Sequence, residues 1–104
     1  MRTTTKLRQL LKSTPLVVPG CYDAMSAKVL EQAGFPAVYM TGYGVSASRL
    51  GLPDLGYAGL AEMADHARNL AAAVEIPLIA DADTGYGNAL NVRRTVRMTL
   101  IALP

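Results

Sequence analysis

Short apolar runs alternate along the chain with longer stretches in which apolar residues recur every three or four positions. The runs occupy residues 16–18, 37–40 and 76–80, and the longest helical pattern spans 59–74. Because strands separated by helices pair side by side through crossovers, this alternation predicts an α/β fold with sequential parallel strands. The runs contain no polar alternation, so we expect a sheet that is covered on both faces.

The start of the chain is polar apart from three leucines at helical spacing. Leu7, Leu10 and Leu11 lie among basic residues and predict a short amphipathic helix that ends at residues 13–15. Residues 1–12 lack the apolar stretch of a signal peptide, and no window holds the ~18 apolar residues of a membrane span. The sequence therefore predicts a cytoplasmic protein with no membrane partner.

A second helix is predicted directly after the first apolar run. Asp23 is a suitable N-cap, because its carboxylate can accept hydrogen bonds from the free amides of the next turn. Met25, Val29 and Leu30 are expected to form the buried stripe of this helix, and Gly34 is expected to end it.

The tetrapeptide Thr-Gly-Tyr-Gly occurs twice, at 41–44 and at 84–87, each time just after an apolar run. Parallel α/β folds place their chemistry at the carboxyl ends of their strands. Both copies are therefore expected at that end of the sheet, and a further helix is predicted to begin near Asn88. The repeat is too short to indicate a duplication.

Asp81 and Asp83 follow the third run and carry the sharpest chemical signal in the sequence. Residues i and i+2 of a strand point to the same side, so the two carboxylates are expected to converge. Two carboxylates about 4 Å apart repel each other by roughly 4 kcal/mol near a protein surface, and a bound cation relieves that repulsion. Oxygen ligands of this kind suit Mg²⁺ or Mn²⁺. The alternative is that one aspartate caps the next helix while the other faces solvent.

Two features lie in the segment after the second run. Asp54 follows a Gly-Leu-Pro sequence that restricts the backbone and can direct a carboxylate inward, although a lone loop aspartate is also common as a turn residue. Residues 42–47 fit the G-x-G-x-x-A dinucleotide pattern, but Pro53 interrupts the long helix that this pattern needs. Gly42 is better explained by the close approach of a small anionic ligand to the backbone.

Composition and charge narrow the classes of function. Hydrophobic residues make up 51% of the 104 residues and charged residues 17%, which indicates a globular chain. The basic cluster of Arg93, Arg94 and Arg97 has no aromatic residues among it, so it predicts a solvated helix face and no nucleic-acid partner. Cys21 is the only cysteine, which excludes an internal disulfide and a cysteine-based metal site.

Four stretches together resemble the isocitrate lyase/phosphoenolpyruvate mutase superfamily, over nearly the whole chain. Within it the sequence is most similar to carboxyvinyl-carboxyphosphonate phosphorylmutases, oxaloacetate decarboxylases, and methylisocitrate or dimethylmalate lyases. The four stretches are Pro-Gly-Cys-Tyr-Asp-Ala at 19–24, Thr-Gly-Tyr-Gly at 41–44, Gly-Leu-Pro-Asp at 51–54, and Asp-Ala-Asp-Thr-Gly-Tyr-Gly at 81–87.

The resemblance implies a (β/α)8 barrel, usually a homotetramer, with Mg²⁺ and a small 2-oxo or 2-hydroxy carboxylate as substrate. Asp81 would bind the metal directly, whereas Asp83 and Asp54 would be catalytic residues that hold metal-bound waters and substrate atoms. The substrate carboxylate would be contacted by Thr41, Gly42 and Tyr43. The implied chemistry is a lyase or decarboxylase reaction through an enolate-like pyruvate fragment, with the metal as Lewis acid. Phosphonate P–C bond chemistry is the alternative.

Part of the family's site has no counterpart in this sequence. Lyases of the family use a cysteine in a loop after the fourth strand, and Cys21 follows a different strand, so it cannot take that role. A barrel of this type has about 250 residues, so we expect residues 1–104 to be a partial barrel domain with roughly three of the eight strands. Residues 98–104 depart from the family pattern as an atypical tail. An inactive, truncated fragment is therefore the alternative to a working enzyme.

Overall fold

Three parallel strands form the centre of the computed structural model, which describes residues 2–12 and 15–102. The strands are β1 (Gly20–Cys21), β2 (Val38–Met40) and β3 (Leu78–Ala80). They form one sheet in the order β1-β2-β3, and both neighbouring pairs are parallel. The predicted α/β fold with sequential parallel strands is confirmed.

Helices precede, connect and follow these strands. In chain order they are α1 (Thr3–Lys12), α2 (Ala24–Gln32), α3 (Gly42–Val45), which continues into a π-helical turn (Ser46–Leu50), α4 (Leu60–Ala73) and α5 (Ala89–Ala102). The helical segment that begins at Gly42 ends before Gly51, whose φ is 65°, so it lacks the length of a dinucleotide-binding helix. Within the described ranges, no helix is long and apolar enough to cross a membrane.

Both ends of the chain contain predicted features that are only partly described. Ser13 and Thr14, which were expected to end α1, lie outside the described residues, as do the last two residues of the predicted tail 98–104. Residues 98–102 of that tail belong to α5 and are helical.

The first strand lies further along the chain than its apolar run predicted. Residues 16–18 form no regular structure, and Val17 is 62% exposed. The Tyr39 amide of β2 donates to the Pro19 carbonyl at 2.9 Å, and the Thr41 amide donates to the Cys21 carbonyl at 3.1 Å. The prediction of a strand at 16–18 is therefore wrong. The short β2 pairs with Gly20 and Cys21, which lie after the apolar run.

Helices cover one face of the sheet within the described part of the chain. Cys21, Val38 and Met40 are at most 1% exposed, since α2 and α4 pack over them. Tyr39 lies between Val38 and Met40 in β2 and is only half-buried, as are all three residues of β3. The expectation of a sheet covered on both faces is wrong for the described residues, because the face that carries Tyr39 is only partly covered.

The second helix presents a different face to the core from the one predicted. Met25 and Val29 are 69% and 56% exposed, whereas Ala27 is fully buried and Leu30 packs against the core. Positions i and i+4 share a helix face, so Met25 and Val29 turn outward together, while Ala27 and Leu30 share the inner face at i and i+3.

The predicted N-cap of α2 is confirmed. Asp23 Oδ1 accepts a hydrogen bond from the Ser26 amide at 2.7 Å, and Ser26 Oγ accepts one from the Asp23 amide at 3.2 Å. This capping box fixes the turn between β1 and α2.

Glu31 links the end of α2 to the approach to β3. Its Oε2 accepts hydrogen bonds from the amides of Glu75 at 2.8 Å and Ile76 at 3.3 Å. These two charge-assisted bonds fix where β3 begins.

Candidate functional site

The segments that follow β2 and β3 face one cavity at the carboxyl end of the sheet. Asp54, Asp81 and Asp83 all line this cavity, so the structure brings the three predicted carboxylates together. The complete lining consists of Gly42, Ser46, Asp54, Gly56, Ala58, Met63, Asp81, Asp83 and Tyr86.

Asp81 is oriented from two sides. It lies directly after β3, where its amide donates to the Met40 carbonyl at 3.3 Å and so extends the parallel pairing by one residue. Its Oδ1 accepts a hydrogen bond from the Asp83 amide at 2.8 Å. Its Oδ2 lies against Gly42, so the carboxylate bridges the ends of two neighbouring strands.

Gly42 is buried, and no larger residue fits at its position. A Cβ atom built on Gly42 would overlap Asp81 Oδ2 and would approach Asp81 Cγ to 3.2 Å. Glycine was predicted here because a ligand approaches the backbone. The structure gives a second reason, which is that the Asp81 carboxylate itself occupies the space of a side chain.

Asp83 reaches the cavity by a different route from the one predicted. The expectation rested on i and i+2 positions of an extended strand, but β3 ends at Ala80 and Asp83 has a φ of 50°. Aspartate is one of the few residues that adopt this left-handed conformation readily. The two carboxylates therefore share a cavity because the chain turns back after Asp81, and strand alternation is the wrong reason.

Asp54 lies at the tip of an exposed loop. The Leu55 amide donates to the Pro53 carbonyl at 2.9 Å, which makes a tight turn centred on Asp54. This is the turn geometry expected of a lone loop aspartate, yet the side chain lines the cavity with the other two carboxylates. Asp54 can therefore form the turn and line the cavity at the same time.

The two Thr-Gly-Tyr-Gly copies both follow a strand, as predicted, but they differ in conformation. In the first copy Thr41 caps α3 through its Oγ1, which accepts from the Gly44 amide at 3.1 Å. The second copy is an irregular loop in which Gly85, Tyr86 and Gly87 have φ values of 97°, 62° and 141°. The two copies share a location without sharing a structure.

The three predicted substrate contacts are placed unequally. Gly42 lines the cavity, whereas Thr41 and Tyr43 are outside its lining, and Tyr43 is 70% exposed. Thr41 Oγ1 accepts from a backbone amide, which leaves the hydroxyl proton free to donate.

Two tyrosines that the sequence pattern did not single out lie close to the carboxylates. Burial raises the pKa of Tyr86 from an ordinary 10.0 to about 12, and the negative charges of Asp81, Asp83 and Asp54 add to this effect. Burial also raises the pKa of Tyr39, with further contributions from the charge of Asp81, a hydrogen bond to it, and the charge of Asp54. In the sequence, Tyr86 could have been found from its place in the second repeat copy. Tyr39 could have been found because it alternates with the apolar residues Val38 and Met40.

Cys21 has the properties of a structural residue. It is fully buried, its Sγ donates to the Tyr39 carbonyl at 3.5 Å, and it is outside the lining of the cavity. Burial and the nearby charge of Asp23 raise the pKa of the Cys21 thiol to about 11, so it stays protonated and weakly nucleophilic at neutral pH.

The donor set suits a hydrated ion better than a dehydrated one. No group of three His, Cys, Asp or Glu side chains among the described residues is arranged to hold a metal ion. A zinc site needs three or four direct protein ligands and would not fit. Mg²⁺ is usually bound through one or two carboxylates and keeps several waters, so three aspartates around a shared cavity fit it.

The family model described as phosphoenolpyruvate phosphomutase matches residues 7–102. The chain belongs to this family. The predicted resemblance is thereby confirmed. One relative, 2,3-dimethylmalate lyase of Eubacterium barkeri, is 56% identical over 98 residues, which cover 93% of this chain and 34% of the relative. The chloroplastic carboxyvinyl-carboxyphosphonate phosphorylmutase of Arabidopsis thaliana is 50% identical over 103 residues, which cover 97% and 30%.

One of the solved structures that this chain resembles is a complex with Mg²⁺. The complex of phosphonopyruvate hydrolase with oxalate and Mg²⁺ matches with a TM-score of 0.90 and 37% identity, covering 98% of this chain and 36% of the hydrolase chain. The predicted fold, about three βα units from the N-terminal part of a (β/α)8 barrel, is confirmed. The chain spans about a third of the length of the curated relatives it matches.

Replacing Gly42 by alanine should displace the Asp81 carboxylate. The added Cβ overlaps Oδ2, so we expect the Asp83 amide to lose its hydrogen bond to Asp81 and its NMR signal to shift. Gly20→Ala is the matched control, because a Cβ at Gly20 meets its nearest atom at an ordinary 3.8 Å. Equal, small shifts of the Asp83 amide in both variants would show that Gly42 does not constrain Asp81.

Tyr86 should remain protonated at pH 11, where an unperturbed tyrosine is ionised. Because the folded chain holds this proton more tightly than the unfolded chain, its contribution to stability is complete below pH 10 and is lost as the pH rises toward 12. Tyrosine Cζ chemical shifts measured against pH, with Tyr86→Phe for assignment, give the pKa directly.

The same titration checks the contribution of the carboxylates. Asp81→Asn removes the largest charge contribution and should lower the pKa of Tyr86, whereas Asp65→Asn on the outer surface of α4 should leave it unchanged. A Tyr86 midpoint near 10 in the unmodified chain would contradict the described arrangement.

Proposed function

We propose that this chain supplies the carboxylate side of a magnesium-dependent site for a small 2-oxo or 2-hydroxy carboxylate, in a lyase or decarboxylase reaction. The observation that carries the proposal is the shared cavity of Asp54, Asp81 and Asp83 at the carboxyl end of parallel strands.

In this proposal Asp81 binds the metal directly. Its Oδ1 accepts one backbone hydrogen bond, and a carboxylate has about four lone-pair positions, so capacity remains for a cation. Asp83 and Asp54 would hold water molecules of the hydrated ion. When bound, the ion supplies positive charge for the oxygen atoms of the substrate. The complex of phosphonopyruvate hydrolase with oxalate and Mg²⁺ supports this choice of metal and ligand class.

The segment after β2 would bind the substrate carboxylate. Thr41 has a hydroxyl proton to donate, and Gly42 brings its backbone to the cavity wall. Tyr43 is largely exposed, so it would contact the substrate only from the rim of the site.

Phosphonate chemistry is the second candidate. It is favoured by the 50% identity to the carboxyvinyl-carboxyphosphonate phosphorylmutase of Arabidopsis thaliana. Both candidate reactions would use a metal ion and a site for the substrate carboxylate, since both need charge stabilisation at substrate oxygens. The identity of the bond that is broken is therefore decided by assay with substrates of each class.

A chimera tests the proposed function at the level of activity. The segment of this chain that aligns with 2,3-dimethylmalate lyase of Eubacterium barkeri replaces the corresponding segment of that enzyme. We expect Mg²⁺-dependent cleavage of dimethylmalate, because the segment would supply the metal-binding aspartate. Asp81→Asn in the chimera should lower kcat/KM by about 10²-fold or more, the scale of losing a group that stabilises developing charge.

Asp65→Asn provides the control, since Asp65 pairs with Arg49 on the outer surface of α4 and should leave the activity of the chimera unchanged. A folded chimera whose activity is insensitive to Asp81→Asn would overturn the proposed role of this carboxylate. Release of product from a phosphonate substrate in place of dimethylmalate would favour the second candidate.

A further inference from the structure

We propose that Thr95 is a positioning residue for this site, because its hydroxyl holds the loop of residues 81–87 in the path that presents Asp81 and Asp83 to the cavity. The proposal rests on the proposed function. It assigns to α5 a role in the site, although no residue of α5 lines the cavity among the described residues.

The loop follows a backbone path that needs external support. Asp83, Gly85, Tyr86 and Gly87 all have φ values between 50° and 141°. A left-handed conformation is unfavourable for a bulky residue such as tyrosine, and such residues persist only where surrounding contacts fix them. The contacts within the loop are the Asp83 amide on Asp81 Oδ1 and the Gly85 amide on the Ala82 carbonyl, at 2.8 Å and 2.9 Å.

Helix α5 supplies the external contacts. Thr95 is 2% exposed, and its Oγ1 lies 2.6 Å from the Gly85 carbonyl oxygen. Gly85 is itself buried, and a Cβ at that position would come within 2.5 Å of a Val92 methyl group, so the loop lies flat on the helix. The Thr95 hydroxyl therefore donates to the loop at its buried glycine.

The Thr95 hydroxyl also has a partner within its own helix. Oγ1 lies 2.9 Å from the Asn91 carbonyl oxygen, the i−4 contact that helical threonines commonly make. A hydroxyl donates one proton, and the shorter distance favours Gly85 as its acceptor. Without that donor, a buried loop carbonyl next to Tyr86 would lose its hydrogen bond, and the left-handed path would lose its anchor.

The test uses two pairs of variants that differ only in the hydroxyl. Thr95 is compared with Thr95→Val, and Thr95→Ser is compared with Thr95→Ala. The second pair decides the question if the valine variant fails to fold. Val74→Ala is the control for general destabilisation, because Val74 is buried at the end of α4, which leads to the opposite end of β3.

Two measurements are made on the full chain. The affinity for Mn²⁺ alone is measured from the EPR signal of free Mn²⁺, and the exchange rates of the amides of residues 83–88 are measured by NMR. We expect the variants without a hydroxyl to bind Mn²⁺ about ten-fold more weakly, as for losses of groups that orient metal ligands. Thr95→Ser should retain the affinity and the slow exchange of the loop, and so should Val74→Ala.

The outcomes separate the two proposals. If the unmodified chain binds Mn²⁺ and the hydroxyl-free variants bind it equally well, Thr95 has only a structural role and the inference is overturned. Weaker binding by Val74→Ala to the same degree would also overturn it, because any loss of stability would then suffice. If the unmodified chain fails to bind Mn²⁺ at all, the proposed metal site is overturned and this inference with it.

Discussion

The contact between the Asp81 carboxylate and the backbone of Gly42 determines how the candidate site is built. It joins the residue that follows β3 to the residue that begins α3, which are the two strand ends at the cavity. Only glycine leaves the space that Oδ2 occupies, and the Asp83 amide holds Oδ1 on the other side. The direction of one carboxylate is thus fixed by backbone atoms, which reorient less readily than side chains.

The electrostatics follow from this placement. Three aspartates line one cavity, and no lysine or arginine side chain lines it among the described residues. The negative charge is reflected in the raised pKa values of Tyr86 and Tyr39, although burial is the larger cause for both. A negatively charged cavity favours a cation. Because no three of these side chains are arranged to hold an ion directly among the described residues, the cavity favours an ion that keeps its water shell.

The sequence predicted those features that depend on local pattern. Dense apolar runs predicted β2 and β3, and Asp23 predicted the start of α2, because an N-cap acts within one turn. The position of β1 was not predictable in this way, since it depends on which residues lie opposite β2. Asp83 was placed correctly for a wrong reason, because strand alternation presumes an extended chain and its φ is 50°.

Features that depend on distant contacts were missed. Glu31 fixes the approach to β3 across 44 residues of sequence, and no local pattern marks it. The environments of Tyr86 and Thr95 depend on how the loop of residues 81–87 packs against α5. The local sequence does not specify this packing. The roles assigned to Asp54, Asp81 and Asp83 remain predictions that rest on their shared cavity and on the family.

The central claim is that these three aspartates hold a hydrated divalent cation, and Mn²⁺ mapping by NMR tests it most directly. Substoichiometric Mn²⁺ should broaden the amide signals of residues 42, 54 and 81–83 before those of the surface carboxylates, and excess Mg²⁺ should reverse the broadening. Asp81→Asn should abolish this selectivity. Broadening that begins at Asp65 or Glu75, or that is unchanged in Asp81→Asn, would contradict the account.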